Sequence, residues 1–235
     1  MKLLAMDTSN QTLAVAVLED EHVLAHFQLN RKLNHSLTLM PTIEAVMQAS
    51  GLKPTDLDRI VVAKGPGSYT GIRIAVTTAK TLAHTLGIEL TMVSSLAVIA
   101  GNVQTDKLIV PVMDARRNNV YAGAYRWKEQ QLVNVLADQH VALSELLDQI
   151  EQPAIFVGET NKFKEQIQSA LPEAEVSELD EINLPSGVIL GKFGRQAKPI
   201  ENIHGVVPEY LKRVEAEEKW LETHHSEDDN YVEKI

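Results

Sequence analysis

Cysteine is absent from the 235-residue chain. That absence excludes a disulfide framework and thiolate metal sites, is compatible with a reducing compartment, and leaves folding to packing alone. Basic residues are in the minority, 22 Lys and Arg against 32 Asp and Glu for a formal charge of −10, and never stand more than two in a row. Phosphate backbones are gripped by clustered cations, so tight, direct RNA binding by this chain alone is not expected. The opening MKLLAMDTSN, with one lysine and a short apolar run, is too short for a signal peptide or a membrane span, and a cytoplasmic location without membrane contact is expected. Eight histidines are present, yet no His-Glu-x-x-His occurs and none of the helices assigned below carries two histidines four apart, so no metal site is expected. No Gly-x-Ser-x-Gly elbow occurs, and Ser68, beside Gly67, has no identifiable base, so nucleophilic catalysis has no support.

What is present is size and order. With 44% hydrophobic residues the chain can bury one large core or two joined smaller ones. Apolar runs at 3–6, 12–18 and 23–28, separated by SNQ and EDEH, predict a three-strand meander. A helix over 37–50 follows, with Ser36 as N-cap, Gly51 as stop and Pro41 as a kink. A buried strand at 59–63, a helix at 70–86, a strand at 90–93 and a short helix at 95–101 close the half. The order then begins again: strands at 108–113, 119–126 and 131–137, a helix at 143–151, a strand at 154–157, a helix at 160–170, a strand at 175–179 and a helix at 185–198. Met6-Asp7 and Met113-Asp114 mark the same point in each half, the end of an apolar strand before a polar turn. One duplication of this length predicts two similar lobes with a cleft between them rather than a solenoid. The expected division is a lobe at 1–103, a lobe at 104–214 and a charged, frayed tail at 215–235.

The strongest local signal is IVVAKGPGSYTGIRIAVTTAKTLAHTLGI, a strand running into Gly65, Gly67 and Gly71 and then an amphipathic helix. Glycines permit positive φ and close backbone approach, and a helix N-terminus offers N–H groups to an anion. The segment nonetheless lacks the Lys-Ser/Thr ending of a P-loop, and its spacing is G-x-G-x-x-x-G rather than G-x-G-x-x-G. A tight strand-to-helix turn that packs is the simpler reading, and the three glycines are assigned to a structural loop. Asp7 and Asp114 end strands at the cleft, where carboxylates hold magnesium in phosphotransferases. Neither following turn, DTSNQT or DARRNN, contains glycine, and Arg116 and Arg117 are bulky where a phosphate needs bare backbone. Asp7, Thr8 and Ser9 are kept as candidates for a weak nucleotide contact, against the simpler expectation that each Asp caps its own turn. No cofactor is otherwise expected. The helix at 37–50 has an apolar stripe broader than one covered side requires, and the helix at 70–86 adds small residues that allow close approach. Leu37, Met40, Ile43, Met47, Ile72, Val76, Ala79 and Ala83 are therefore candidate subunit-interface residues, the other reading being that both helices cover the sheet.

MDTSNQTLAVAV, HSLTLMPTIEAVM, AKGPGSYTGIRIAVTTAKTLAHTLGI, MDARRNNVYAGAY and PEYLKR together resemble the TsaB (YeaZ) family over nearly the whole chain, the glycine segment most specifically. The resemblance implies an α/β chain of the actin/Hsp70-like ATPase (ribonuclease-H-like) fold, two duplicated lobes with mixed sheets flanked by helices. It further implies a non-catalytic scaffold or activator of a complex with TsaD, a paralogue, and the ATPase TsaE, which makes N6-threonylcarbamoyladenosine at position 37 of ANN-decoding tRNAs. TsaD places two metal-binding histidines four apart after the strand that follows the glycine segment; on the matching positions this chain has Ser95 and Ile99, and isoleucine cannot ligate a metal. The implied partners are TsaD and TsaE, with tRNA met only through the complex, and a homodimer through the same helices as the competing assembly. The alternative is an ATP-dependent small-molecule kinase or a peptidase of the same fold; a kinase needs Asp7 and tight Mg-ATP binding.

Overall fold

Apolar residues on both faces of the first strands commit them to the centre of a covered sheet. Strand β1 (Lys2–Asp7) pairs antiparallel with β2 (Thr12–Glu19), Ala5 opposite Ala16, and β2 with β3 (His22–Asn30). Helix α1 (His35–Ser50) leads to β4 (Arg59–Ala63), parallel to β1, and α2 (Tyr69–Leu86) leads to β5 (Glu89–Val93), parallel to β4. The sheet order is β3-β2-β1-β4-β5. The computed structural model describes residues 1–212, so the tail expected over 215–235 lies outside the described residues.

The second half repeats the plan. Strands β6 (Leu108–Asp114), β7 (Asn119–Lys128) and β8 (Gln131–Ala142) form the meander, α4 (Leu143–Asp148) leads to β9 (Ala154–Gly158), parallel to β6, and α5 (Lys164–Ala170) leads to β10 (Glu175–Val176), which a one-turn helix α6 (Asp180–Asn183) follows. Its order, β8-β7-β6-β9-β10, matches the first sheet strand for strand. This doubled mixed sheet has the strand order of a ribonuclease-H-like lobe in each half.

Several element ends differ from expectation. Asn34, not Ser36, caps α1: its backbone is extended and its side chain accepts from the Ser36 N–H at 3.1 Å, so the helix starts a residue before Ser36. Strand β8 runs on to Ala142, and β10 is only two residues long. Residues 160–163 are a turn, tied down where Thr160 Oγ1 donates to Ser177 O at 2.8 Å, so α5 begins at Lys164.

Helices α1 and α2 cover one face of the first sheet. Leu39, Ile43, Val46 and Met47 from α1 and Ile72, Val76 and Ala79 from α2 pack on Leu4, Met6, Val15, Ile60 and Val62. The other face is covered from the far end of the chain by α7 (Gly187–Gln196), the helix that the sequence order joins to the second half. Gly194 makes this approach achievable, because a Cβ there would lie 2.0 Å from Val61 Cγ1. Conversely α3 (Ser95–Ala100), from the first half, puts Leu96, Ile99 and Ala100 against Ile109, Met113 and Val157 of the second sheet. The two sheets thus exchange helices, and α3 meets α7 where Phe193 closes on Gly101. Arg59, almost fully buried, fixes the exchange: Nη1 donates at 2.8 Å to both Gly194 O and Arg195 O, while Nε and Nη2 hold Glu89.

Beyond α7 a strap returns over the first lobe. Ile200 N–H donates to Leu90 O at 2.9 Å, Val206 enters the core under α2, and Glu209 N–H donates to Lys64 O at 3.0 Å. The strap ends with Tyr210 stacked on Tyr69, ring centroids 4.7 Å apart.

Candidate functional site

The glycine segment and the turn after β1 close on each other. Ser9 N–H donates to Asp7 Oδ1 at 2.7 Å, an Asx turn, and Asp7, Thr8 and Ser9 are all buried. Ser68 N–H donates to Ser9 O at 2.6 Å, and Thr8 Oγ1 donates to Gly71 O at 2.7 Å. The missing Cβ of Gly67 would lie 2.1 Å from Ser9 O and that of Gly71 2.1 Å from Thr8 O; Gly65, at φ +110°, would meet Glu209 O at 2.7 Å. Gly65, Gly67 and Gly71 are therefore used for contact between segments of this chain. The space above Gly67 and Gly71, where a binding loop would seat a phosphate, holds the backbone of Thr8 and Ser9. Asp7, Thr8 and Ser9 face this packing and expose no surface to a nucleotide in this arrangement.

Asp7 is left in an uncomfortable state. Its Oδ2 has no hydrogen-bond partner, and burial pushes the carboxyl above its ordinary range more than the Ser9 hydrogen bonds and the nearby His35 draw it back. Its counterpart, Asp114, makes the same turn, accepting from Arg116 N–H at 2.8 Å, but lies nearer the surface and pairs with Lys162. Burial raises Asp114 as well, yet the Lys162 ammonium and the Arg116 N–H together bring it below its ordinary value. Arg116, Arg117 and Asn118 all adopt left-handed backbone, with φ of 68°, 53° and 59°.

Ser95 and Ile99 lie fully buried in α3, where Ser95 N–H donates to Gly65 O at 2.9 Å and so ties the glycine loop to the lobe junction. Beside it Asp138 of β8 accepts from Ser94 Oγ and from the Tyr125 hydroxyl. Burial raises both the Asp138 carboxyl and the Tyr125 phenol. Among the described residues no group of three His, Cys, Asp or Glu side chains is placed to hold a metal. His22 and His26 stand four apart, but on a strand, where that spacing spreads them by about 13 Å. No helix of the described residues is long and apolar enough to cross a membrane.

Of the eight interface candidates, Ile43, Met47, Ile72, Val76, Ala79 and Ala83 are buried in the chain's own core, so they cannot meet a partner as placed. The apolar stripe of each helix is consumed by the sheet beneath it. Leu37 and Met40 remain outside, 71% and 49% exposed. Beside them lies a shallow groove between the helices, lined by Ser36, Tyr69, Thr70, Arg73, Ile74 and Thr77. Sequence reasoning passed over Tyr69, Arg73 and Tyr210, because what unites them is the returning strap; PEYLKR and GIRIAV were visible, their meeting was not.

The family model described as "TsaD: tRNA N6-adenosine threonylcarbamoyltransferase" matches residues 22–220. The chain is 42% identical over 228 residues to the tRNA threonylcarbamoyladenosine biosynthesis protein TsaB of Bacillus subtilis, a match covering 95% of this chain and 99% of that one. Against the protein of the same description from Escherichia coli it is 34% identical over 134 residues, covering 55% of this chain and 57% of that one. The solved structure of YeaZ from Pseudomonas aeruginosa superposes with a TM-score of 0.73 at 22% identity, covering 89% of this chain and all of that one, a likeness of fold. Sheets and turns together define an α/β protein of two ribonuclease-H-like halves in which the first turn is packed shut on the glycine loop. The chain belongs to the TsaB (YeaZ) branch of the TsaD family, and so to the proteins of tRNA threonylcarbamoyladenosine biosynthesis.

Proposed function

We propose that this chain is a non-catalytic scaffold and activator subunit in the formation of N6-threonylcarbamoyladenosine at position 37 of ANN-decoding tRNAs, working in the cytoplasm with TsaD and TsaE. The observation that carries this reading is the seating of Thr8 and Ser9 on Gly67 and Gly71, which fills with the chain's own backbone the space a phosphate would need. What the chain then offers outward is the α1–α2 face, with Leu37 and Met40 exposed beside a groove. TsaD docks on this face; a second copy of this chain competes for it in TsaD's absence, and tRNA is met through the complex.

Reconstitution tests the reading. With threonylcarbamoyl-adenylate and an ANN-decoding tRNA, the chain alone is expected to yield no modified nucleoside by mass spectrometry, TsaD with TsaE little, and all three together full conversion. Modification by the isolated chain, or tight Mg-ATP binding to it that disappears in Asp7→Asn, would instead mark it as an enzyme.

A further inference from the structure

We infer that the groove between α1 and α2 is the seat of this chain's own C-terminal segment, in which Arg73 receives a carboxylate from the acidic run at 215–218 and Trp220 with Leu221 lies over Leu37 and Met40. The place where the described chain ends points there first. The strap returns over the first lobe and sets Tyr210 on Tyr69, a residue that lines the groove. Glu209 fixes that approach, its N–H donating to Lys64 O at 3.0 Å and its carboxylate pairing with Lys64 Nζ at 2.5 Å. The described residues stop at Lys212, two positions beyond Tyr210, and residues 213–235 follow. Position 215 is five residues past Tyr210, a reach of up to about 17 Å, and position 220 is ten, up to about 35 Å. Arg73 is nearer than either limit: it stands one helical turn along α2 from Tyr69, its guanidinium carbon 5.2 Å from the centre of the Tyr69 ring.

Charge and apolar pattern point the same way. Residues 213–235 hold eight acidic side chains against three basic, and 215–221 read EAEEKWL, carboxylates first and then an adjacent tryptophan and leucine. The groove offers the counterpart of each: a cation, Arg73, and exposed apolar side chains, Leu37 and Met40, beside Ile74. A guanidinium has five N–H donors, of which the Tyr69 hydroxyl takes one at 2.7 Å. Its planar fork accommodates a carboxylate in bidentate fashion. Tethering favours this occupant over a free one. A short flexible tether presents its far end at an effective concentration on the order of millimolar, so a contact with a dissociation constant of about 0.1 mM is filled about tenfold over. A separate protein at micromolar concentration must bind about a thousandfold tighter to fill the groove as well. One consequence rests on the docking reading above: if TsaD uses this face, the segment must leave as TsaD arrives.

The experiment is NMR on the full-length, isotope-labelled chain. It compares the parent with Arg73→Glu, with a tail variant carrying Glu215→Arg, Glu217→Arg and Glu218→Arg together, and with the chain that combines all four changes, each first shown to melt like the parent. In the parent, backbone order parameters over 215–221 should approach about 0.85, the value of rigid backbone, and the Trp220 ring should show Overhauser contacts to the Leu37 and Met40 methyls. Arg73→Glu and the tail variant should each bring the order parameters below about 0.6 and lose those contacts. The combined chain, in which the charges are exchanged, should regain both. Order parameters below about 0.6 throughout 215–221 in the parent overturn the inference, as does an Arg73→Glu chain that keeps the contacts. Order that falls on dilution overturns it too, because the groove would then hold the tail of a second copy. Added TsaD should release Trp220 from Leu37 and Met40. A TsaD complex in which Trp220 keeps its contacts overturns the docking reading and leaves the seat standing, whereas TsaD binding to a parent whose segment was never seated overturns the inference and leaves the docking reading.

Discussion

Gly67 and Gly71 are the residues at which the fate of the glycine segment is decided. A methyl group at either would stand 2.1 Å from a carbonyl oxygen of the turn after β1, and backbone cannot swing away as a flexible side chain does. Gly67→Ala and Gly71→Ala are each expected to cost about 2–3 kcal/mol, read as a lowered urea midpoint. Gly51→Ala meets nothing within 4 Å and carries only its positive φ of 71°, so about 1 kcal/mol is expected there. Asp7 gives a prediction of sign. Its folded carboxyl lies above its ordinary value of 3.8, so between that value and the folded one the native state holds a proton that the unfolded chain has released. Its contribution is fully present below that ordinary value and is lost as pH rises through the folded one. Asp7→Asn keeps an oxygen for Ser9 N–H and removes the unpartnered charge. It should therefore be more stable than the parent at neutral pH, by about 1 kcal/mol, with a shallower decline from acid to neutral pH in urea titrations. A destabilised Asp7→Asn at neutral pH means that the carboxylate has a charge partner and the burial account is wrong. Asp114 has the opposite sign: held below its ordinary value by Lys162 and Arg116, it contributes stability that is lost as pH falls through its folded value.

Among the elements, α1 and α2 each have one side in the core and one side outside, and a substitution reports on whichever side it touches. Val76 is 2% exposed, so Val76→Asp buries an unpaired charge and should cost about 4 kcal/mol or more, or prevent folding. Met40→Asp, on the outward side of α1, should leave stability within about 0.5 kcal/mol while abolishing co-elution with TsaD in size-exclusion chromatography. A Met40→Asp chain that still co-elutes would remove this face from consideration. Pro41 lies within α1, where it supplies no N–H to the turn before it. Pro41→Ala should therefore stabilise the chain by about 1–3 kcal/mol, seen as a higher melting temperature.

For the whole molecule, the exchange of α3 and α7 makes the two sheets one structure. Arg59 is the clearest probe, because its guanidinium satisfies the carbonyls that end α7 while holding Glu89 on β5. Arg59→Met leaves those carbonyls without a donor and should cost about 3 kcal/mol. Hydrogen exchange should then show α7 losing protection before β6 and β9 do; uniform loss would mean that α7 is not separately anchored.

Much of this was legible in the residues themselves. Both meanders, the strand ends at Asp7 and Asp114 and the helix of the glycine segment follow from local apolar period and from turn chemistry, which neighbouring residues set between them. The same local rules foretold that each Asp would cap its own turn. Which sheet a helix covers is another matter, since α7 suits either by amphipathicity and only tertiary fit assigns it: Gly187, Gly191 and Gly194 closing on the first sheet and Arg59 holding the helix end. The candidate surface divides the same way: composition pointed to α1 and α2, but an apolar residue reads alike whether it faces its own sheet or a partner. Ile43 and Val76 were therefore indistinguishable from Leu37 and Met40 until burial separated them. Arg73, Tyr69 and Tyr210 come together only because a strap from the end of the described chain returns to α2, a long-range closure that no local pattern encodes.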